Sequence, residues 1–196
     1  MHSLIYLASQ SPRRQELLTQ IGVKFELLLA DPSEDAESLE TQLPNEPALV
    51  YVKRVTLAKL AAAKQRLHAR GLDLAPILCA DTTVALGRVI LVKPDNEQDA
   101  VRILKTLSGQ THRVLTAVAL ASGRRRYLSV SVSKVTFAPM KLSEIKAYVA
   151  TGEPFGKAGA YGIQGVAAAY ISDIQGSYTG IMGLPLFETA ELLKTI

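Results

Sequence analysis

Apolar and polar positions along the chain keep changing rhythm, and each rhythm predicts an element. Leu4-Ile5-Tyr6-Leu7-Ala8 is an unbroken apolar run, as in a buried strand. Leu17, Leu18 and Ile21 then recur at helical spacing up to Gly22, with Ser11 suited to the N-cap and Pro12 to the first helical position. A second strand is expected over 24–30. A long helix is expected from about 45 to 70, with Leu49, Val52, Leu60, Ala63 and Leu67 on its apolar stripe and Gly71 at its end. Lys59 is one heptad beyond Val52 and points nearly the same way. A lysine in line with a buried stripe either snorkels to the surface or ends in a cleft and meets an anion.

The second half continues the alternation. Residues 75–80 read as a buried strand with Asp81-Thr82-Thr83 at its carboxyl end, and Gly87-Arg88 as a hairpin turn into 89–92. Asp95 with Gln98 resembles a capping box for a helix through Val101, Leu104 and Leu107 to Gly109. Two long strands are expected over 112–121 and 126–137, with a turn at Ser122-Gly123 and a bulge where the alternation changes phase near Ser133-Lys134. Ser143 suits the cap of a short helix carrying Ile145, Tyr148 and Val149. A last strand over 165–174, a turn at Gly176-Ser177-Tyr178 and a terminal helix after Pro185 complete the chain, with Leu186, Leu192 and Leu193 available for burial. No repeat or Pro/Gly/Ser-rich linker divides it, so residues 1–196 read as a single α/β domain, with room for two lobes about a cleft.

Composition narrows the function. A net charge of +4, from 22 basic and 18 acidic residues, permits an anionic ligand without requiring nucleic acid. The absence of Trp removes the best base-stacking side chain, so a nucleic-acid-binding module is disfavoured. Cys79 is the single cysteine, which excludes an intrachain disulfide and suits a buried thiol in a reducing compartment. His2, His68 and His112 are scattered and form no zinc pattern. The N-terminal apolar run is shorter than a signal peptide and no stretch suffices to span a membrane, so a cytoplasmic location is expected.

Candidate chemistry concentrates at predicted element ends. Arg13 and Arg14 fall in a first helical turn, where cations are unfavourable unless an anion sits there; they mark a phosphate site or are merely solvated. The acidic run Asp31, Glu34, Asp35, Glu37 and Glu40 is usually a solvated loop, and Glu34 is its candidate functional carboxylate. Asp81 follows an apolar strand, where ligands gather in parallel sheets, or else caps a turn. Lys93 ends another strand and is a second phosphate candidate. The stretch 156–165 matches neither a P-loop nor a dinucleotide fingerprint, and reads as a loop approached closely by something. Gln164 within it offers an amide to a base edge, or is simply exposed. Several cations with few carboxylates fit a polyphosphate and a hard divalent metal, hence phosphate ester or anhydride chemistry.

Those same stretches resemble a known family. Leu7-Ala8-Ser9-x-Ser11-Pro12-Arg13-Arg14, Ala80-Asp81-Thr82, Lys93-Pro94, Leu107-Ser108-Gly109, Lys157-Ala158-Gly159-x-Tyr161-Gly162-Ile163-Gln164-Gly165 and Gly183-Leu184-Pro185 look like the Maf nucleoside triphosphate pyrophosphatases, from first strand to last helix. Arg13 with Gln164 resembles the branch acting on dTTP and UTP; the sister branch acting on 7-methyl-GTP usually has Trp before the arginine pair. The resemblance implies a mixed α/β fold, related to inosine triphosphate pyrophosphatases. Its strongly curved sheet would be flanked by helices, with two lobes around a nucleotide-binding cleft, often in a homodimer. It implies cleavage between the α- and β-phosphates with Mg²⁺ or Mn²⁺. Asp81 would be the proton acceptor, Arg13, Thr82 and Gln164 the specificity residues, and Ser9, Arg14, Lys59 and Lys93 the phosphate ligands. Glu34 and Asp81 would hold the metal. Two departures concern that metal: Ala58 stands where relatives often have Glu, and Asp-Pro-Ser-Glu replaces a more usual Asp-Glu pair. The alternative within the family is a nucleotide-binding regulator of cell division with little turnover, which would not need Asp81.

Overall fold

The computed structural model describes residues 4–31, 34–35 and 38–196; His2, and Glu37 of the acidic run, lie outside them. The first apolar run forms β1 (Ile5–Leu7), wholly buried. α1 (Pro12–Gln20) follows, with Ser11 at the N-cap position but making no side-chain cap. β2 (Phe25–Leu27) is shorter than expected and is half outside the core. α2 (Ala48–Ala69) is the longest helix described. Then come β3 (Ile77–Leu86), β4 (Val89–Leu91), α3 (Glu97–Leu107), β5 (Thr111–Ser122) and β6 (Arg125–Phe137). α4 (Leu142–Ala150), β7 (Ile171–Gln175), α5 (Tyr178–Met182) and α6 (Leu186–Leu193) close the order.

The strands form one mixed sheet in the order β2-β1-β3-β5-β6-β7, with β4 attached to β3. β1 pairs parallel with β2 and β3; the remaining pairs are antiparallel. The pleat sends alternate side chains to opposite faces. Leu78, Ala80 and Val84 of β3, with Val114, Val118 and Leu120 of β5, pack among α1, α3, α4, α5 and α6. Ile77 and Cys79, with Ala119 and Ala121, face the other way onto α2. α2 covers that face with a stripe of Val52, Val55, Leu60, Ala63 and Leu67. Lys59 lies on this stripe, four residues after Val55 and four before Ala63. Leu49, expected on the stripe, is 41% exposed, because Ala48, Tyr51 and Val52 turn that first turn's buried side away from it. No described helix is long and apolar enough to cross a membrane.

Several expected boundaries move for identifiable reasons. α3 is capped by Asn96, which accepts from Asp99 N at 2.9 Å, rather than by Asp95. Ser143 lies inside α4, which begins one residue earlier, at Leu142. Glu144 there accepts from Lys141 N at 2.6 Å. The β5–β6 turn residues are Gly123 and Arg124, since Ser122 pairs with Arg125. No bulge interrupts β6 at Ser133: its pairing with β5 is continuous, and the irregularity lies at Thr136/Phe137 against β7. The change of phase arises because Ser133 packs under a glycine. A Cβ on Gly176 would lie 2.8 Å from Ser133 Oγ, which accepts from Ser177 N. Residues 166–170 form a 3-10 helix instead of the start of a strand, so β7 begins only at Ile171.

Candidate active site

The sheet is incomplete on one side of β3, and the site occupies the gap. β1 accompanies β3 only at Ile77 and Leu78, and β4 joins it only from Val84. Between them no described strand lies on that side of residues 79–83. Asp81, expected at a strand end, is therefore mid-strand, since β5 pairs with β3 throughout, with Asp81 opposite Ala117. It still faces a crevice, because β1 has stopped three residues earlier. A cleft of about 540 Å³ opens there, lined by Ser9, Arg13, Arg14, Lys59, Asp81, Thr82, Lys93 and Gln164 together. That size suits a small-molecule ligand. Of the residues singled out from the sequence, Glu34 alone is not on the cleft wall.

Strand alternation gives the cleft two chemically different halves. Thr82 faces the helix-rich side, where its Oγ1 lies 3.0 Å from Thr116 Oγ1 and 3.4 Å from Arg14 Nη2. Arg14 also donates to Gly183 O at 2.8 Å and to Ser9 Oγ at 3.0 Å. Arg13 Nε donates to Met182 O at 3.3 Å. Lys157, on the same wall, donates to the backbone oxygen of Glu153. Among the described residues these three cations have oxygen partners that are neutral and no carboxylate within salt-bridge distance. Burial lowers the pKa of Arg14, with Asp81 opposing, and burial beside Arg13 lowers that of Lys157. Cations held in place without counter-charges favour an incoming anion.

Asp81 faces the other way, towards α2. Lys59 Nζ lies 2.6 Å from Asp81 Oδ1 and 2.7 Å from Glu40 Oε1. Lys93 Nζ reaches the second oxygen of Glu40 at 2.7 Å. Burial would depress the Lys59 pKa, but Asp81 and Glu40 outweigh it and raise it. Burial likewise opposes ionisation of Glu40, and Lys59 and Lys93 outweigh it, so its pKa is lowered. Glu34, by contrast, is gripped by Arg66 at 2.6 and 2.8 Å. That bidentate bond, with a bond from Asp31 N, brings its pKa down to about 2. Arg66 is buried and donates to Leu28 O as well, so Glu34 ties the acidic loop to α2.

The two carboxylates on either side of Lys59 Nζ already accommodate a compact cation. Their all-oxygen donor set suits Mg²⁺ or Mn²⁺, which take one or two carboxylates and complete their shell with substrate oxygens and water. No group of three or more potential protein ligands exists among the described residues. A metal held here would thus depend on a ligand's own oxygens.

Gln164 is exposed at the cleft mouth, in a turn closed by Gly165 N donating to Gly162 O at 3.1 Å. Behind it Tyr161 OH meets His112 Nε2 at 2.8 Å, inside a cluster with Phe137. Sequence reading missed Glu40, Lys157 and the Tyr161–His112 pair. Glu40 was one acid among five, and only its contact with two lysines distinguishes it. Lys157 carried a signal, as the one cation of the glycine-rich stretch.

A family model described as Maf-like protein matches residues 4–196. A protein of Albidiferax ferrireducens named dTTP/UTP pyrophosphatase is 61% identical over 195 residues, spanning 100% of this chain and 98% of its own length. One of the same name from Polaromonas sp. is 61% identical over 190 residues, 97% of this chain and 94% of the relative. Among solved structures, the Staphylococcus aureus Ham1 protein aligns with 71% of this chain and 74% of its own, at 11% identity and a TM-score of 0.49.

Proposed function

The chain belongs to the Maf family, and from that premise we propose that it hydrolyses dTTP and UTP to the nucleoside monophosphate and pyrophosphate, keeping nucleotide pools clean. The observation that carries this reading is the split cleft: on one wall the cations Arg13, Arg14 and Lys157, with no carboxylate partner among the described residues, and on the other Asp81 and Glu40 with two lysines. The relatives' shared name supplies the substrates.

The residues divide the work. The cationic wall neutralises the triphosphate, and Thr82, joined to Arg14, fixes that guanidinium's height above the sheet. Asp81 Oδ1 accepts from Lys59, which orients the carboxylate and leaves Oδ2 for a water. The water attacks phosphorus as Asp81 takes its proton, and pyrophosphate leaves by cleavage of the α–β anhydride bond. Positioning and charge stabilisation supply most of the acceleration, as in phosphoryl transfer generally. Asp81 and Glu40 would hold the divalent metal, with Glu40 taking the place expected for Glu34. A metal held there would supply charge neutralisation for the triphosphate. Gln164 reads the pyrimidine edge through its amide. Such an enzyme works in the cytoplasm, and a homodimer is compatible with this cleft.

The test is a product analysis over a panel of nucleoside triphosphates with Mg²⁺. Pyrophosphate from dTTP and UTP, with little from purines, is expected. Orthophosphate release would place the cleavage at the wrong bond, and tight binding without product would make the protein a nucleotide-binding regulator.

A further inference from the structure

Gln164 is exposed in a turn whose neighbouring Ile163 is buried in the main core, while Gly165 and Val166 on its other side are exposed. The turn is gripped from below at both ends. Gly162 N donates to Tyr148 OH at 3.3 Å, and Tyr148 OH donates in turn to Glu153 Oε1 at 2.8 Å. The other oxygen, Glu153 Oε2, accepts from Val166 N at 2.8 Å. One carboxylate thus fixes the backbone two residues before Gln164, through a phenol, and two residues after it directly. Tyr148 is only 2% exposed, anchored by α4 in the main core, so the grip is referred to the rigid body of the protein.

The fit leaves no slack. A Cβ on Gly165 would lie 2.3 Å from the Glu153 carboxylate, and one on Gly162 would lie 3.1 Å from Lys157 Cε. Glycines at 162 and 165 therefore let the turn settle directly onto Glu153 and the Lys157 stem. The backbone oxygen of Glu153 also holds the Lys157 ammonium. One residue so connects the base-reading turn with the cationic wall. Tyr148, Glu153 and Val166 themselves do not line the cleft; they support it from behind Gly162 and Lys157, which do.

We propose that Glu153 and Tyr148 are positioning residues for base selection, setting the turn that presents Gln164 to the pyrimidine. The proposal rests on the reading of Gln164 as the base contact. Loss of the grip lets the turn move while Asp81, Lys59 and Arg14 stay in place on the sheet and helices. The discrimination between bases then falls more than the chemistry does.

The experiment measures kcat/KM for UTP and for ATP with Mg²⁺, together with Tm, on the full chain and on Glu153→Gln, Tyr148→Phe and Gly165→Ala. Each variant is expected to lower the UTP-to-ATP ratio about tenfold, mainly through the KM for UTP, as for loss of one bond to a charged group. Gly165→Ala should add little in a Glu153→Ala background, because both act through the same contact. If kcat/KM for UTP and ATP falls by one common factor alongside Tm, the pair only stabilises the fold and the proposal is overturned. A wild-type enzyme that cleaves UTP and ATP alike would sink the base reading itself, and is told apart because no variant enters that comparison.

Discussion

At the residue scale, the site turns on which oxygen each cation holds. Asp81 and Glu40 share Lys59, whereas Glu34 is committed to Arg66. Asp81→Asn keeps the size and one acceptor oxygen but cannot take a proton. It is expected to lower kcat by about 10²–10⁴-fold with KM changed only a few-fold, as steady-state kinetics would show. Unchanged turnover would remove Asp81 from the mechanism. His112 supplies a pH prediction. Burial lowers its pKa from 6.5 to about 4, so the folded protein binds this proton less readily than the unfolded chain. Its contribution is complete above pH 6.5 and is lost progressively as pH falls from 6.5 to about 4. Stability should fall with acid across that window, and His112→Phe, which cannot titrate, should flatten the slope in urea titrations. An unaltered slope would assign the acid sensitivity to other groups. Glu34, with its pKa lowered from 4.5 to about 2, acts in a lower window and leaves the histidine effect separable.

At the element scale, the glycine-rich stretch comes closest to β3 at Gly159. Gly159 has φ +73°, and a Cβ there would stand 2.9 Å from both methyl carbons of Val84. Gly159→Ala combines a left-handed alanine with overpacking and should cost about 2–4 kcal/mol, seen as a lower urea midpoint at unchanged slope. A midpoint within error of wild type would mean that the segment moves away freely. The bulge expected in β6 shows the limit of pattern reading at this scale. Ser129, Ser131 and Ser133 look like solvent-facing positions in a list of polar residues. Ser133 is instead nearly fully buried beneath the segment before α5, satisfied by Ser177 N.

At the scale of the whole molecule, the cleft joins parts distant in sequence. Arg13 and Arg14 of α1 bind backbone oxygens at Met182 and Gly183. α2 brings Lys59 across to β3, and the loop before α2 brings Glu40. A ligand bridging these parts should stabilise all of them. UTP with Mg²⁺ at about a hundredfold above Kd should raise the Tm of Asp81→Asn, which consumes it far more slowly, by about 5–10 °C. No shift on calorimetry, with binding shown independently, would mean that unfolding begins outside the cleft.

The sequence by itself determined the alternation of strands and helices, the hairpin at Gly87-Arg88 and the placing of Lys59 on the buried stripe of α2. Those features are local: hydrophobic period, turn chemistry and helix geometry act over a few residues. It also contained the family's motifs, and the Maf-like match from residue 4 to 196 bears that resemblance out. The choice of partner was left to the tertiary structure. Glu34 and Glu40 sit in one acidic run, six residues apart, and nothing local says which meets Arg66 and which meets Lys59 and Lys93. The opening beside Asp81 exists because β1 ends and β4 begins at different places along β3, a fact about pairing register. Ion pairing and sheet closure are contacts between distant segments, so they are fixed only when the chain is packed.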